Sequence, residues 1–214
     1  MRKLVLKMQI TVDGFVCGPN GEVDWVFKSL DQGATDWLVQ TLWQAGVHIM
    51  GRHTFFDMMT YWPYSAEPFA PPMNEIPKLV FSRAGLDATR QGELTRAFED
   101  ATRQRALLGI APVPAKEAVA KAWAETPVLT GDLAAEINRL KREPGKDILA
   151  HGGAGFAQSL VREGLVDEYE LMVHPIALGQ GRPLFAELAR PLDLRLVDTK
   201  VFATGAVAHS YRPI

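Results

Sequence analysis

Short apolar runs alternate along the chain with longer segments in which apolar residues recur every three or four positions. Residues 4–12 combine β-forming residues with a lysine and a glutamine, and they predict a first strand that ends at Asp13-Gly14. Residues 35–45 carry apolar side chains at helical spacing, and Gly46 ends this predicted helix. Three further apolar runs predict short strands at residues 47–50, 78–81 and 147–151.

The segments between these strands predict helices and one long loop. A short helix is predicted at residues 53–59, and residues 62–77 are predicted to form a loop because they contain five prolines. Residues 86–125 combine Ala, Arg, Glu and Gln with charges of both signs, which favours a helical excursion. Asp132 is the predicted N-cap of the next helix, and residues 156–161 carry the apolar side of the helix after it.

The C-terminal part of the chain is predicted to consist of strands. Apolar and acidic residues alternate at the start of residues 168–173. Residues 194–202 and 206–211 predict a closing hairpin around Thr204-Gly205. Strands that alternate with helices and then finish antiparallel predict one α/β domain with a mixed sheet over residues 1–214.

Composition is that of an ordinary soluble globular protein, with 47% hydrophobic and 22% charged residues. The formal net charge of -2 lacks the basic excess of proteins that grip nucleic acid. The single cysteine, Cys17, excludes an intrachain disulfide and favours the cytoplasm. The first ten residues lack the apolar core of a signal peptide, and no apolar run approaches the ~18 residues of a membrane span. A cytoplasmic protein that binds neither nucleic acid nor membrane is expected.

Three predicted strands end at a small residue that is followed by arginine or by a second glycine, and such endings suit a phosphate ligand. They are Gly51-Arg52, Ser82-Arg83 and Gly152-Gly153. Ligands of open α/β sheets bind beyond the carboxyl ends of the strands, where glycine admits close approach. A following helix offers free N–H groups to a phosphate, and arginine offers a planar fork of donors. Each ending alone is more often an ordinary turn or a solvated arginine, but their joint occurrence indicates a ligand with several phosphates, such as a dinucleotide.

The sequence signals for other kinds of functional site are weaker. Residues 153–158 begin like a Rossmann fingerprint but lack its third glycine, and the five histidines lack metal-ligand spacing, so no metal is predicted. Asp24 precedes Trp25, and a carboxyl group shielded by an aromatic ring can donate a proton. Asp24 is equally suited to cap a short helix, and Asp13 is suited to an Asp-Gly turn as well as to catalysis.

Sequence blocks in a fixed order along nearly the whole chain resemble the dihydrofolate reductase-like family. The similarity is greater to stand-alone relatives of the reductase domain of the bifunctional riboflavin biosynthesis deaminase/reductase. The blocks are TVDGFV (11–16) with DW (24–25), MGRHT (50–54) with YWP (61–63), VFSR (80–83), HGGAGF (151–156), GLVDE (164–168) and HPIALGQGRPLF (174–185). The zinc deaminase half of that bifunctional enzyme is excluded, because its motif needs a pair of cysteines and this chain has one. Residues 86–125 exceed the usual length in such relatives and form a lid, a dimer element or a plain insertion.

The resemblance implies a three-layer α/β fold of dihydrofolate reductase type, with a mixed, mostly parallel central sheet and antiparallel C-terminal strands. It also implies an NADPH site at the three strand ends, with the nicotinamide near Val12 on the first strand. Ser82 and Arg83 would take the 2′-phosphate, which favours NADPH over NADH. The cofactor-binding residues carried over are Val12, Gly51, Arg52, Thr54, Ser82, Arg83, Gly152, Gly153, Ala154, Gly155 and Phe156.

The predicted function is an NADPH-dependent reductase that transfers a hydride to a heterocyclic substrate of pyrimidine or pterin type. It resembles 5-amino-6-(5-phosphoribosylamino)uracil reductase of riboflavin biosynthesis. Asp24 and Asp13 are the candidate proton donors. The predicted substrate-binding walls, by ring stacking, are Trp25, Tyr61, Trp62 and Phe185. The alternatives are a strict dihydrofolate reductase and a non-catalytic NADPH-binding or sensor protein, and the latter would lack a proton donor in the cavity. A homodimer is implied by the relatives.

Overall fold

The computed structural model describes residues 1–86 and 95–214, and its centre is a mixed sheet. The strands are β1 (Leu4–Thr11), β2 (Phe15–Cys17), β3 (Val47–Gly51), β4 (Lys78–Phe81), β5 (Val128–Leu129), β6 (Ile148–His151), β7 (Glu168–His174), β8 (Arg182–Pro183), β9 (Leu194–Val201) and β10 (Val207–Pro213). The helices are α1 (Gln32–Trp43), α2 (Arg52–Tyr61), α3 (Ala70–Glu75), α4 (Arg96–Leu107), α5 (Glu117–Ala124), α6 (Leu133–Arg142) and α7 (Ala154–Arg162). Short 3-10 helices cover Asp24–Ser29 and Trp62–Tyr64. No helix in these described ranges is long and apolar enough to cross a membrane.

Eight strands form the main sheet in the order β5-β4-β3-β6-β1-β7-β10-β9, and β2 pairs with β8 in a small second sheet. The first six strands of that order run parallel, whereas β10 runs antiparallel to both β7 and β9. The mixed, mostly parallel sheet with antiparallel C-terminal strands is therefore confirmed. The carboxyl ends of β3, β4 and β6 lie at one edge of the sheet, which is where α/β folds place ligands.

Helices cover both faces of the sheet, because strands that are central and parallel bury apolar side chains on each side. On one face α6 and α7 pack through Ile137, Leu140 and Leu160. On the other face α1, α2, α3 and α5 pack through Leu42, Phe55, Met73 and Trp123. The result is the predicted three-layer arrangement.

The proline-rich segment is not a loop throughout, and that prediction was wrong. Residues 62–64 form a 3-10 helix and α3 follows, with Pro71 and Pro72 in its first turn. Proline is tolerated there because the first N–H groups of a helix have no intrahelical partner. The buried Lys78 ammonium then closes the end of α3 by donating to the carbonyl oxygens of Met73, Asn74 and Ile76 at 3.0, 3.2 and 2.8 Å.

The excursion at 86–125 is helical in its described part, since α4 and α5 lie within it. Residues 87–94 lie outside the described residues. That the whole chain is one reductase-like domain with an insertion here stays a prediction.

Asp132 caps α6 as predicted, and its carboxylate accepts from the N–H of Ala135 at 2.9 Å. Replacing Asp132 with alanine should therefore lower the free energy of unfolding by about 1 kcal/mol. Urea unfolding followed by circular dichroism measures this, with Asp132→Asn as the control that keeps the cap. Equal losses in the two variants would contradict the capping role.

Candidate active site

A cleft of about 870 Å³ opens at the carboxyl edge of the sheet, beside β1, β3 and β6. Its walls come from β1, the β2 region, α2, α4 and the start of α7. Because it lies where two parallel strands feed directly into helices, backbone groups as well as side chains reach into it.

Two helix N-termini meet in this cleft without side-chain caps. Gly51 is the N-cap of α2 and Gly153 is the N-cap of α7, and neither helix start receives a side-chain hydrogen bond. In contrast, Asp31 and Asp132 cap α1 and α6. Since β3 and β6 are neighbours, the free N–H groups and positive dipole ends of α2 and α7 lie side by side. This arrangement fits a ligand with more than one phosphate.

Glycine suits both starts because the two helices approach closely there. A Cβ atom on Gly51 would lie 3.1 Å from the Cβ atom of Phe156, and one on Gly153 would lie 3.2 Å from the Thr54 hydroxyl. The Phe156 ring stacks on Phe81 with centroids 5.4 Å apart, which fixes α7 against the sheet. The two helix starts are therefore packed closely together.

Most of the predicted cofactor residues lie in this cleft. Gly51, Arg52, Thr54 and residues 152–156 all line it. Ser82 and Arg83 follow the neighbouring β4 but are not among the described residues that line the cleft. Ser82 donates its hydroxyl to the carbonyl of Gly85 at 2.6 Å, and the Arg83 side chain is exposed. Their binding role stays a prediction.

Val12 is not among the residues that line the cleft: its side chain is 63% exposed and its N–H donates to the carbonyl of Ile176, so its cofactor role stays a prediction. Asp13 is not among the lining residues either. Its carboxylate accepts from Thr11 and from the N–H groups of Leu178 and Gly179, and these bonds hold its pKa below the ordinary range. Asp13 therefore ties the 11–14 turn to the loop after β7 and is ionised, so it is a poor proton donor.

Three more predicted site residues lie outside the cleft. Asp24 is exposed on a separate shallow pocket beside α4. Trp25 is buried, donates its indole N–H to the carbonyl of Glu22 and meets His174 edge to face. Phe185 packs on Tyr169 with centroids 5.7 Å apart. Of the predicted aromatic walls, Tyr61 and Trp62 line the cleft, and their rings are 4.6 Å apart.

Asp57 is the carboxyl group that does lie in the cleft. It is on the second turn of α2, and its two oxygens accept from the N–H and the hydroxyl of Thr95 at the start of α4. Burial raises the pKa of Asp57, although these hydrogen bonds and His53 act in the opposite direction. A partly buried acid with a raised pKa is a candidate proton donor.

Lys7 lies at the floor of the cleft in the central strand β1. It has no hydrogen-bond or ion-pair partner among the described residues, and burial lowers its pKa to about 8. Across the ladder it faces His151, whose ring lies 4.7 Å from that of His48. Burial holds the pKa values of both histidines well below their ordinary range, so both rings are neutral. The Nε2 atom of His151 is buried and has no hydrogen-bond partner among the described residues, although the residue itself contributes to the cleft lining.

Helix α4 forms another wall of the cleft. It contributes Phe98, Ala101 and Arg105 to the cleft lining. Asp100, also in α4, is buried and accepts from the N–H of Val23 at 3.0 Å, which fixes α4 to the 3-10 helix region. The helical excursion is thus part of the cleft rather than a remote attachment.

The chain has clear relatives. Residues 2–208 match the family model described as the RibD C-terminal domain. YyaP of Bacillus subtilis (strain 168) is 31% identical over 210 residues, which cover 98% of this chain and 94% of that protein.

Solved structures share the fold. One is the crystal structure of a protein from Shewanella sp. PV-4 that is described as a riboflavin biosynthesis protein. Its sequence is 19% identical, the TM-score is 0.66, and the match covers 100% of this chain and 99% of that chain. Dihydrofolate reductase from Enterococcus faecalis, complexed with NADP(H), is 12% identical with a TM-score of 0.56, over 99% of this chain and 96% of its own. Because the family model spans almost the whole sequence, this chain belongs to the RibD C-terminal domain family.

Proposed function

We propose that this protein is an NADPH-dependent reductase acting on a heterocyclic substrate, with a phosphoribosylaminouracil of riboflavin biosynthesis as the first candidate. The observation that carries the proposal is one cleft that combines two uncapped helix starts with a partly buried acid. The first feature suits a dinucleotide, and the second suits a reaction that consumes a proton. Membership of a family named after a riboflavin enzyme favours the pyrimidine class of substrate.

The residues present fit the cofactor. Gly51, Arg52 and Thr54 at the start of α2, with residues 152–156 at the start of α7, would hold the phosphates. Arg83, beyond the end of β4, would hold the 2′-phosphate. When bound, NADPH supplies the hydride.

The chain's own side chains supply the proton and the orientation. Asp57, whose pKa is raised by burial, is the group that would give a proton to the substrate nitrogen during reduction of a C=N bond. Lys7 places an ammonium at the cleft floor, where it orients a carbonyl of the heterocycle and stabilises negative charge on its oxygen. Tyr61 and Trp62 form a wall for a flat ring.

The alternatives differ in what the cleft must contain. A non-catalytic NADPH-binding or sensor protein needs no proton donor, so Asp57 in the cleft favours an enzyme. A strict dihydrofolate reductase would bind methotrexate in competition with its substrate. The homodimer implied by the resemblance stays a prediction.

Titration with NADPH and NADH tests the proposed cofactor. Energy transfer from the cleft tryptophan Trp62 to the nicotinamide should report micromolar binding of NADPH and much weaker binding of NADH. Arg83→Ala should remove that preference by weakening NADPH alone. The matched control is Arg142→Ala, which removes an exposed arginine of α6. Failure to bind either nucleotide would contradict the proposed function.

A further inference from the structure

Arg105 of α4 has donors left over after its contacts with the protein. Its Nε atom donates to a Glu67 carboxylate oxygen at 3.1 Å, and its side chain is only 16% exposed. Neither terminal guanidinium nitrogen has a hydrogen-bond or ion-pair partner within residues 1–86 and 95–214. The other α4 arginine of the cleft, Arg96, is already engaged by Glu99 and Asp100 at 3.1 and 3.3 Å. Arg105 is therefore the α4 cation with donors to offer a ligand.

The Arg105 guanidinium is held in a fixed orientation. Its Cζ atom lies over the Tyr61 ring, and the hydrogen bond from Nε to Glu67 is a second restraint on the group. Ser65 lies within 3.2 Å of both the Tyr61 hydroxyl and the Glu67 carboxylate, and it joins the two groups that position the arginine. Such preorganisation reduces the entropy lost when the fork of donors engages a planar anion.

The cleft as a whole has a positive character that favours anions. Lys7, Arg52 and Arg182 line it, none of the three forms an ion pair among the described residues, and Asp57 is the one acid in the described lining. The whole chain carries a net charge of -2, so the positive character is local. Burial also disfavours the Arg105 charge, which makes a further counter-charge energetically favourable.

From this geometry we propose that Arg105 binds an anionic group of the substrate, a carboxylate or a phosphate, at the α4 end of the cleft. The inference rests on the proposed function, since it names a chemical feature of the same site's substrate. It assigns to the helical excursion a role in specificity, because α4 supplies the arginine while α2 supplies Tyr61. The group bound there is distinct from the cofactor phosphates expected at the starts of α2 and α7.

Calorimetry with three probes tests the assignment without any turnover. Ribose 5-phosphate carries a phosphate, ribonate carries a carboxylate, and ribose carries neither. At least one anionic probe should bind the wild type more tightly than ribose does. Arg105→Gln should weaken that binding by about 10- to 100-fold, as expected for loss of a charge-assisted hydrogen-bonding pair. The probe that is affected identifies the anion.

Matched variants separate binding from folding. Arg103→Gln changes a 60%-exposed arginine of the same helix and should leave probe affinity unchanged. Arg105→Lys keeps the charge but loses the planar fork, and it should give an intermediate affinity. Unchanged affinity for both anionic probes in Arg105→Gln, or an equal loss in Arg103→Gln, would overturn the inference.

Parallel titration with NADPH keeps this test separate from that of the proposed function. If the wild type did not bind NADPH, the proposed reductase function would be contradicted. Arg105-dependent binding of an anionic probe would still support the subsite. The reverse result, with NADPH bound and no Arg105-dependent probe binding, would remove the subsite and leave the reductase standing. The two failures therefore have different signatures.

Discussion

Replacing Asp57 with asparagine should lower the rate of reduction by about 10²- to 10⁴-fold and leave NADPH affinity unchanged. The amide has the shape of the carboxyl group and keeps an oxygen to accept from the N–H of Thr95, which lies 3.0 Å from the carboxylate in the native protein. It cannot release a proton to the substrate. NADPH oxidation at saturating cofactor, with 5-amino-6-(5-phosphoribosylamino)uracil as test substrate, measures the loss.

The pH dependence gives the same prediction a second readout. Burial raises the pKa of Asp57, and the donor must be protonated when the hydride arrives. The wild-type rate should therefore be full below this raised pKa and fall as the pH rises through it. In Asp57→Asn that fall should disappear.

Asp24→Asn is the matched control for Asp57→Asn, since it makes the same substitution at an exposed carboxyl group outside the cleft. Its rate and pH profile should match those of the wild type. A large loss in Asp24→Asn together with a normal Asp57→Asn would return the proton donor to Asp24 and contradict the placement of the acid. Normal rates in both variants would indicate protonation by water.

Seven of the ten strands in the described residues and most of the helices could be predicted because their signals are local, whereas the short strands β2, β5 and β8 were missed. Each predicted strand of the parallel part matches the structure to within one or two residues, since short apolar runs bounded by Gly or Asp have few other buried arrangements. The prediction of a loop where the structure has α3 was wrong for an equally local reason. Five prolines predict a loop by count, but Pro71 and Pro72 occupy the helix turn in which a missing N–H costs nothing.

The two glycine-flanked helix starts in the cleft were predictable because glycine at a strand end and the helix start after it are adjacent in sequence. The carboxyl groups were not, because the surface that each one faces depends on tertiary packing. Asp13 follows the first strand as expected, yet the loop around Leu178 occupies its oxygens. Asp57 lies on an ordinary helical stretch, and only contact with α4 marks it as part of the cleft.

Lys7 carried a signal in the sequence that was ambiguous by itself. A lysine within a strand is common at the edge of a sheet, where it faces water and discourages aggregation. Only the strand order shows that β1 lies between β6 and β7, which brings Lys7 to the interior beside His151. An unpaired charge at such a position is rare and points to function.

Replacing Lys7 with methionine should abolish reduction and at the same time stabilise the fold. The pKa of Lys7 is lowered from 10.5 to about 8 by burial, and at 1.36 kcal/mol per pKa unit this corresponds to a penalty of about 3 kcal/mol. Solvent that reaches the ammonium through the cleft reduces the gain expected at pH 7 to on the order of 1–2 kcal/mol. Urea unfolding and NADPH oxidation measure the two effects.

The pH dependence of that gain has a definite sign. Below pH 8 the ammonium is charged in both the folded and the unfolded chain, so the penalty is present in full. Between about pH 8 and 10.5 the folded chain releases the proton while the unfolded chain keeps it, and the penalty diminishes. The stability difference between Lys7→Met and the wild type should therefore be largest below pH 8 and vanish as the pH rises through 10.5.

Lys78→Met is the matched control, because burial lowers the pKa of Lys78 to about 8 as well. Its ammonium, however, donates to three carbonyls at the end of α3, and methionine would leave them without these bonds. Lys78→Met should therefore destabilise the protein, opposite in sign to Lys7→Met. If both variants shifted stability in the same direction, the distinction between a lysine kept for structure and one kept for the site would fail. Opposite signs would show that the protein gives up stability to hold an unpaired charge where its ligand binds.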